Sequence, residues 1–331
     1  MKVAVLAGGR SSEHDVSLMS AEAVRAGLAA AGHEVIDVQI SRAGKWTVGG
    51  QPLSLVPGGG LLGADVVFPA LHGPYGEDGT VQGLLEHLDV AYVGAGVMAS
   101  AVCMHKAVFK DLMGWANVPQ PRYTVIRQAL WDSEDDGERQ RVEEKIAALG
   151  WPVFVKPARL GSSVGISKVK GPAELESALE TAFAHDSVAV VEEMAHGLEV
   201  EVSLLGDHHP AVSVPGQISY DSEWYDYDTK YTPDKMKLTV PAEISDRAAA
   251  ALKKHALKAW RRTGCSGMAR IDFFVDGETV LLSEVNTIPG FTSTSVYAKL
   301  LEASGVAYGE VLERLLQLAA TQFTEASKRQ H

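Results

Sequence analysis

The chain has 331 residues, 46% hydrophobic and 22% charged, a composition that can bury enough apolar surface to fold as two or three linked globular domains. Its 42 acidic and 30 basic side chains leave a net charge of −12, which excludes a general attraction to nucleic acid or an anionic membrane and assigns any anionic ligand to a local cluster of donors. The two cysteines, Cys103 and Cys265, stand far apart without metal-ligand spacing, and no apolar run has the length of a signal peptide or membrane span, so no disulfide framework or zinc site is indicated and a cytoplasmic location is expected.

Lys2 to Ala7 reads as a buried parallel strand, Gly8-Gly9 as a turn, Ser17 to Ala31 as a helix and Glu34 to Gln39 as the next strand, which together make a βαβ unit. Strands at Asp65 to Ala70 and Val90 to Val93, separated by a helix from Thr80 to Leu88, extend this to a doubly wound parallel sheet over residues 1–103. Pro57 to Gly60 marks an exposed connection. A second block, 104–191, carries strands at Arg122 to Ile126, Val153 to Lys156, Gly165 to Val169 and Val188 to Glu192, with helices between them. The acidic stretch Asp132 to Glu138 is a solvated loop and helix start. The third block, 192–331, contains an amphipathic helix from Ser245 to Thr263, a strand pair Gly267 to Val275 and Thr279 to Asn286, and a terminal helix from Tyr308 to Ala326.

Two segments carry phosphate and metal chemistry. In Phe154-Val-Lys-Pro-Ala-Arg-Leu-Gly-Ser-Ser-Val-Gly165 a strand delivers Lys156 as a point charge, and Gly161, Ser162, Ser163 and Gly165 let backbone N–H groups approach an anion closely. The spacing matches neither a Walker loop nor the dinucleotide fingerprint. In Ala269-Arg-Ile-Asp272 and Leu282-Ser-Glu-Val-Asn286, Arg270 shares a strand face with Asp272, and Glu284 with Asn286. A three-residue loop at Asp276-Gly277-Glu278 would set Arg270 opposite Glu284 with all four side chains on one face; a two-residue loop would put the pairs on opposite faces. Gathered on one face, Asp272, Glu284 and Asn286 are hard oxygen ligands suited to Mg²⁺. The Pro-Gly turn that follows offers the Gly290 N–H to an oxyanion and Ser295, near a helix start, to a carboxylate.

These segments, in this order, resemble the ATP-grasp superfamily, whose nucleotide is gripped between two α+β lobes. Gly8-Gly-Arg-Ser-Ser-Glu-His-Asp-Val-Ser17, Leu71-His-Gly-Pro-Tyr-Gly-Glu-Asp-Gly79 and Tyr225-Asp-Tyr-Asp-Thr-Lys-Tyr231 extend the resemblance to the D-alanine:D-alanine ligase family over essentially the whole chain. The resemblance implies an α/β domain followed by a two-lobed ATP-grasp fold, with ATP as co-substrate and two Mg²⁺ ions, for which Mn²⁺ is the alternative. The reaction would be ligation of two D-alanine molecules through an acyl phosphate, for peptidoglycan synthesis. Glu13 would anchor the ammonium of the first D-alanine, with His72 beside it. Lys106, Lys156 and Lys230 would contact phosphates, together with Ser163. Glu192 would face the adenine amino group, Ala195 the ring edge and Glu199 the ribose. Asp272, Glu284 and Asn286 would hold the metals, and Arg270 and the Gly290 amide would stabilise the transferring phosphoryl group and the tetrahedral intermediate; Ser295, from its place near the helix start, is expected to receive a substrate carboxylate. Ser162 and Tyr231 would join Glu13 in a latch under a mobile loop at 222–235. Tyr231 favours the amide product, since relatives that make the D-lactate ester carry phenylalanine there. Thr294 departs from a histidine found in some members, and Met194 stands where many relatives carry an aromatic side chain nearby. The family's frequent dimers imply a homodimer.

Other readings are a ligase for another carboxylate or for D-lactate or D-serine, a non-catalytic ATP-binding module, and a dehydrogenase, which the incomplete glycine fingerprint at Gly8-Gly-Arg-Ser-Ser-Glu13 disfavours.

Overall fold

The computed structural model describes residues 1–220 and 236–329. β1 (Lys2–Gly8), α1 (His14–Ala30) and β2 (Glu34–Ile40) form the expected βαβ unit. β1 is buried along nearly its whole length because parallel strands flank it on both sides, β2 on one and β5 (Val66–Pro69) on the other. A hairpin not read from the sequence, β3 (Trp46–Val48) and β4 (Gln51–Pro52), continues one edge antiparallel. α2 (Thr80–Leu88) leads into β6 (Ala91–Tyr92), and the sheet order is β4-β3-β2-β1-β5-β6. α3 (Val97–Met104) and α4 (Lys106–Trp115) then meet at His105, whose ring accepts from the Val108 N–H.

The second sheet is antiparallel, in the order β7-β10-β8-β9: β7 (Tyr123–Arg127), β8 (Val153–Pro157), β9 (Ser167–Val169) and β10 (Val188–Glu193). Its alternation decides which side chains meet ligand. Val153, Val155, Ala189 and Val191 pack against α6 (Asp136–Ala147) and α7 (Leu175–Phe183), with the short α5 (Gln128–Trp131) at the margin. Lys156, Val190 and Glu192 face the other way, where Val190 packs on Ala107 of α4.

The third sheet runs β14-β13-β11-β15-β16, with β12 paired to β11: β11 (Leu198–Gly206), β12 (Ala211–Val212), β13 (Gly216–Tyr220), β14 (Met236–Thr239), β15 (Gly267–Asp276) and β16 (Thr279–Asn286). α8 (Asp246–Thr263) starts at Ser245, whose hydroxyl accepts from the Ala248 N–H, and ends in Arg261 and Arg262 before a left-handed Gly264. Each of these features complements the helix dipole or its orphan groups. Its Leu252, Ala256 and Trp260 cover Val202, Ile271 and Phe273 of the sheet. After α9 (Val296–Ala303), α10 (Tyr308–Arg329) returns to the start of the chain, where Leu312, Leu315 and Leu316 join Val3, Val5, Val24 and Leu28 in one core.

Of the two loops considered, the hairpin of β15 and β16 has the two-residue one. Asp276 pairs with Thr279, so Gly277 and Glu278 alone make the turn, and Arg270 faces Asn286 while Asp272 faces Glu284. All four side chains nonetheless share one face. The register slips at Asp272/Phe273, with Phe273 opposite Leu282 and Asp272 opposite Glu284. Ser283 is the extra residue of a β-bulge, and it carries Glu284 and Asn286 into phase with Arg270 and Asp272. Cys103 and Cys265 meet in the core as free thiols, Sγ to Sγ 3.9 Å. Among the described residues no helix is long and apolar enough to cross a membrane.

Candidate active site

Two cavities, of about 390 and 470 Å³, lie among the three sheets and share Lys106, Gly161, Ser162 and Glu284 in their walls. The first is also lined by Glu13, His72, Arg270, Asn286, Gly290 and Ser295, and the second by Lys156, Ser163, Glu192, Ala195, Glu199 and Asp272. Every site residue expected from the sequence within the described region therefore lines one cavity or both. Lys230, Tyr231, Tyr225, Tyr227 and the loop 222–235 lie outside the described residues.

On the second cavity, Lys156 and Glu192 are diagonal neighbours across β8 and β10, and the Lys156 ammonium donates to Oε2 of Glu192 at 3.0 Å. The other carboxylate oxygen, Oε1, lies 3.3 Å from the ammonium of Lys110, which α4 delivers from behind. Burial pushes the Glu192 carboxyl up, but the two lysines outweigh it and hold the group down at about 2. Burial also opposes the charge on Lys156, yet Glu192 raises its affinity for the proton above the ordinary lysine value. Lys106 opens α4: its backbone N–H donates to the Ala158 carbonyl at 2.8 Å and its ammonium to the Leu160 carbonyl at 2.6 Å, tying the serine-rich loop to the helix. In that loop Ser162 and Ser163 both adopt left-handed backbone, φ +50° and +58°. Two successive non-glycine residues there store strain, as is common where backbone is shaped around a ligand. Glu199 accepts the Tyr220 hydroxyl at 2.5 Å on the far wall.

On the first cavity, Glu13 stands at the N-terminus of α1, where the helix dipole favours its charge, and accepts a hydrogen bond from the Ser162 hydroxyl. A carboxylate at this helix end also removes the seat a dinucleotide pyrophosphate requires. His72 is buried, its Nδ1–H donating to the Ile288 carbonyl at 2.9 Å and its Nε2 accepting from the Ser20 hydroxyl at 2.8 Å. Burial lowers its basicity, with Glu13 opposing, which matches a neutral ring. Both ring nitrogens are thus occupied by protein, and His72 braces the cavity wall. Ser295 occupies the N-cap position of α9, yet its hydroxyl engages Thr292, accepting from the backbone N–H at 3.0 Å and lying 2.7 Å from Oγ1.

Between the cavities, Arg270 is bidentate to Asp272, both N–O distances 2.8 Å, and its Nε lies 3.0 Å from Glu201. Asn286 donates to the same Asp272 carboxylate at 3.0 Å. Among the described residues no three His, Cys, Asp or Glu side chains form a cluster able to hold a metal ion. Two facing carboxylates and an amide oxygen do fit an ion that completes its shell with phosphate and water oxygens, which is the habit of Mg²⁺.

Three further charged side chains at or behind the cavity walls carry no expectation from the sequence. Lys110 follows Lys106 by four residues and so shares its helix face, and Glu201 follows Glu199 by two and so shares its strand face; these spacings were the available signals. Glu77 had none. Its carboxylate accepts from the N–H groups of Gly73 at 2.8 Å and Ile288 at 2.9 Å, stitching the 71–79 loop to the 287–290 turn. Burial and the nearby charge of Glu13 push its carboxyl up to about 8.

A parallel-sheet domain followed by two antiparallel α+β lobes, with lysines on one lobe and hard oxygen ligands on the other facing a common cleft, defines an ATP-grasp enzyme. The family models described as D-ala D-ala ligase N-terminus and C-terminus match residues 2–60 and 57–95, and 112–317, respectively. The chain belongs to the D-alanine–D-alanine ligase family. It is 43% identical to the D-alanine–D-alanine ligase of Deinococcus radiodurans, covering 96% of this chain and 98% of the relative. Identity to that of Halothermothrix orenii is 40%, with the same coverage. Among solved structures it resembles the D-alanine-D-alanine ligase from Coxiella burnetii (TM-score 0.86, 33% identity, 99% of this chain and 96% of that one). It also resembles the VanG D-Ala:D-Ser ligase from Enterococcus faecalis (TM-score 0.85, 34% identity, 96% and 99%).

Proposed function

We propose that the chain joins two D-alanine molecules into D-alanyl-D-alanine at the expense of ATP, acting in the cytoplasm as a homodimer whose product feeds peptidoglycan assembly. The observation that carries this reading is the shared wall of the two cavities. The loop that presents Ser162 to Glu13 is the one that presents Ser163 to the lysine-lined cavity, so an ammonium anchor and a phosphate cradle meet at one strand of backbone. The division into 1–103, 104–191 and 192–331 is part of this proposal, supported by one sheet for each part, although β10 carries the second sheet two residues past the second boundary, to Glu193.

ATP lies in the second cavity, its phosphates against Lys106, Lys156 and Ser163, and its base and ribose along Glu192, Ala195 and Glu199. Lys230 is assigned to the phosphates as well. The first D-alanine lies in the first cavity with its ammonium on Glu13 and its carboxylate towards Arg270. A carboxylate oxygen attacks the γ-phosphorus, ADP departs, and an acyl phosphate forms. The free amine of the second D-alanine, its carboxylate held near Ser295, then attacks the acyl carbon. Arg270 and the Gly290 N–H bear the charge of the tetrahedral intermediate until phosphate leaves, a contribution of about 3–4 kcal/mol per donor in enzymes of this kind. Mg²⁺, held by Asp272, Glu284 and Asn286, would offset the charge on the phosphate oxygens that a carboxylate must approach. Positioning supplies the rest, since no covalent nucleophile is needed. Tyr231 completes the Glu13–Ser162 latch and shields the acyl phosphate from water.

The reaction predicts its own label. D-alanine carrying ¹⁸O in its carboxylate must deliver one ¹⁸O to the released phosphate, because the attacking oxygen leaves with phosphorus; unlabelled phosphate would refute the acyl-phosphate route. A second reading, in which the second substrate is D-serine, is favoured by the likeness to the D-Ala:D-Ser ligase structure. Competition between D-alanine and D-serine for the second position separates the two.

A further inference from the structure

Lys110 has no part in the chemistry so far described, yet it is the one lysine or arginine among the described residues that is buried, at 2% exposure. Its ammonium touches Oε1 of Glu192 at 3.3 Å and stands 5.4 Å from the ring centre of Tyr123, while Oε2 of Glu192 takes Lys156 at 3.0 Å. One carboxylate therefore bridges two ammonium groups. A buried ammonium is expensive, and a methionine of similar length would fill the space at lower cost, so stability alone does not account for the lysine. Charge does. Lys156 and Glu192 by themselves sum to zero, and an incoming phosphate would meet a lysine already quenched. With Lys110 the trio carries a net charge of about +1. Burial depresses the Lys110 ammonium below its ordinary value, Glu192 opposes this, and Lys156 and Lys106 add to the depression, as expected for a cation placed among cations.

We infer that Lys110 is a positioning residue for the nucleotide: by sharing the Glu192 carboxylate it leaves Lys156 with net positive charge directed at the phosphates. The inference rests on the assignment of Lys156 to phosphate. The test is calorimetric titration of the full chain, with Mg²⁺ present, using ADP and adenosine as probes of sites with and without phosphate. Lys110→Met is expected to weaken ADP about tenfold while adenosine moves by less than about twofold. Lys110→Met combined with Glu192→Gln restores the net charge; because Glu192 also lies along the proposed base site, the recovery is read in the ADP-to-adenosine affinity ratio, which is expected to return to within about threefold of that of the unaltered protein. If Lys110→Met alone does not fold, Lys110→Gln, which keeps a hydrogen-bond donor against Glu192 while removing the charge, is expected to show the same roughly tenfold loss of ADP affinity. Equal losses for ADP and adenosine would mark a packing role and overturn the inference, as would a double variant no better than the single one. Unchanged ADP binding in Lys110→Met beside weakened binding in Lys156→Met would sink the role of Lys110 and leave that of Lys156 standing. Unchanged binding in Lys156→Met would remove the assignment beneath both.

Discussion

Gly73→Ala separates the binding role of Glu13 from the general cost of disturbing its loop. Gly73 has φ +72°, a conformation that costs an alanine about 1–2 kcal/mol. An added Cβ would also lie 2.3 Å from Oε2 of Glu13, well inside contact distance, and the carboxylate is the movable partner. Its other oxygen accepts the Ser162 hydroxyl, so displacement breaks that bond and shifts the proposed ammonium anchor together. A charge-assisted contact of this kind contributes about 1.5–3 kcal/mol, which corresponds to about a 10- to 150-fold rise in KM for the first D-alanine. Gly32→Ala is the control, because φ there is +84° and nothing lies within 4 Å of the added carbon. Both variants should unfold a few degrees lower by calorimetry, but only Gly73→Ala should raise the D-alanine KM in an ADP-release assay at saturating ATP. Equal D-alanine KM values for the two variants would refute the placement of Glu13 at the substrate.

Ser162→Ala removes the donor to Glu13 and should lower kcat/KM for D-alanine by about 10- to 100-fold with little change in melting temperature, measured by steady-state kinetics beside a thermal scan. Burial holds the Glu77 carboxyl up at about 8 in the fold against an ordinary 4.5, so its contribution to stability is full below 4.5 and is lost as pH rises through 8, at a slope of at most about 1.4 kcal/mol per pH unit. Urea midpoints between pH 4.5 and 8.5 should therefore fall less steeply in Glu77→Gln than in the unaltered chain, and parallel curves would contradict the assigned environment. Asp272→Asn takes a charge from the oxygen set and one of the two Arg270 contacts, and should raise the Mg²⁺ concentration for half-maximal ADP release by about tenfold or more. Glu201 retains Arg270 in that variant, so the melting temperature should fall only modestly.

Much of the fold was legible because its elements carry strong local signals. The helix at Thr80–Leu88 and the strand Thr279–Asn286 run between the residues expected, and Ser245 caps α8 as its position before an amphipathic stretch implies. The β3–β4 hairpin was not legible, since strands of three and two residues at a partly exposed edge show no usable alternation. The bulge at Ser283 left a trace that went unread: the buried positions change phase from Val280 and Leu282 to Val285. Glu13 and Ser162 meet across 149 residues of chain, and no spacing rule predicts such a contact. Family resemblance brought those residues together on paper, whereas the sharing of Glu192 by two lysines emerges only from the packing of α4 on β10.

On the proposed reading, two adjoining cavities bring magnesium-bound ATP to an amino acid held at both ends. ADP release measured across a panel of D- and L-amino acids, with the products weighed by mass spectrometry, tests it most directly. D-alanine should stimulate ADP formation, and the product should have the mass of two alanines joined with loss of one water. ADP release indifferent to D-alanine, or a product lacking the dipeptide mass, would contradict it.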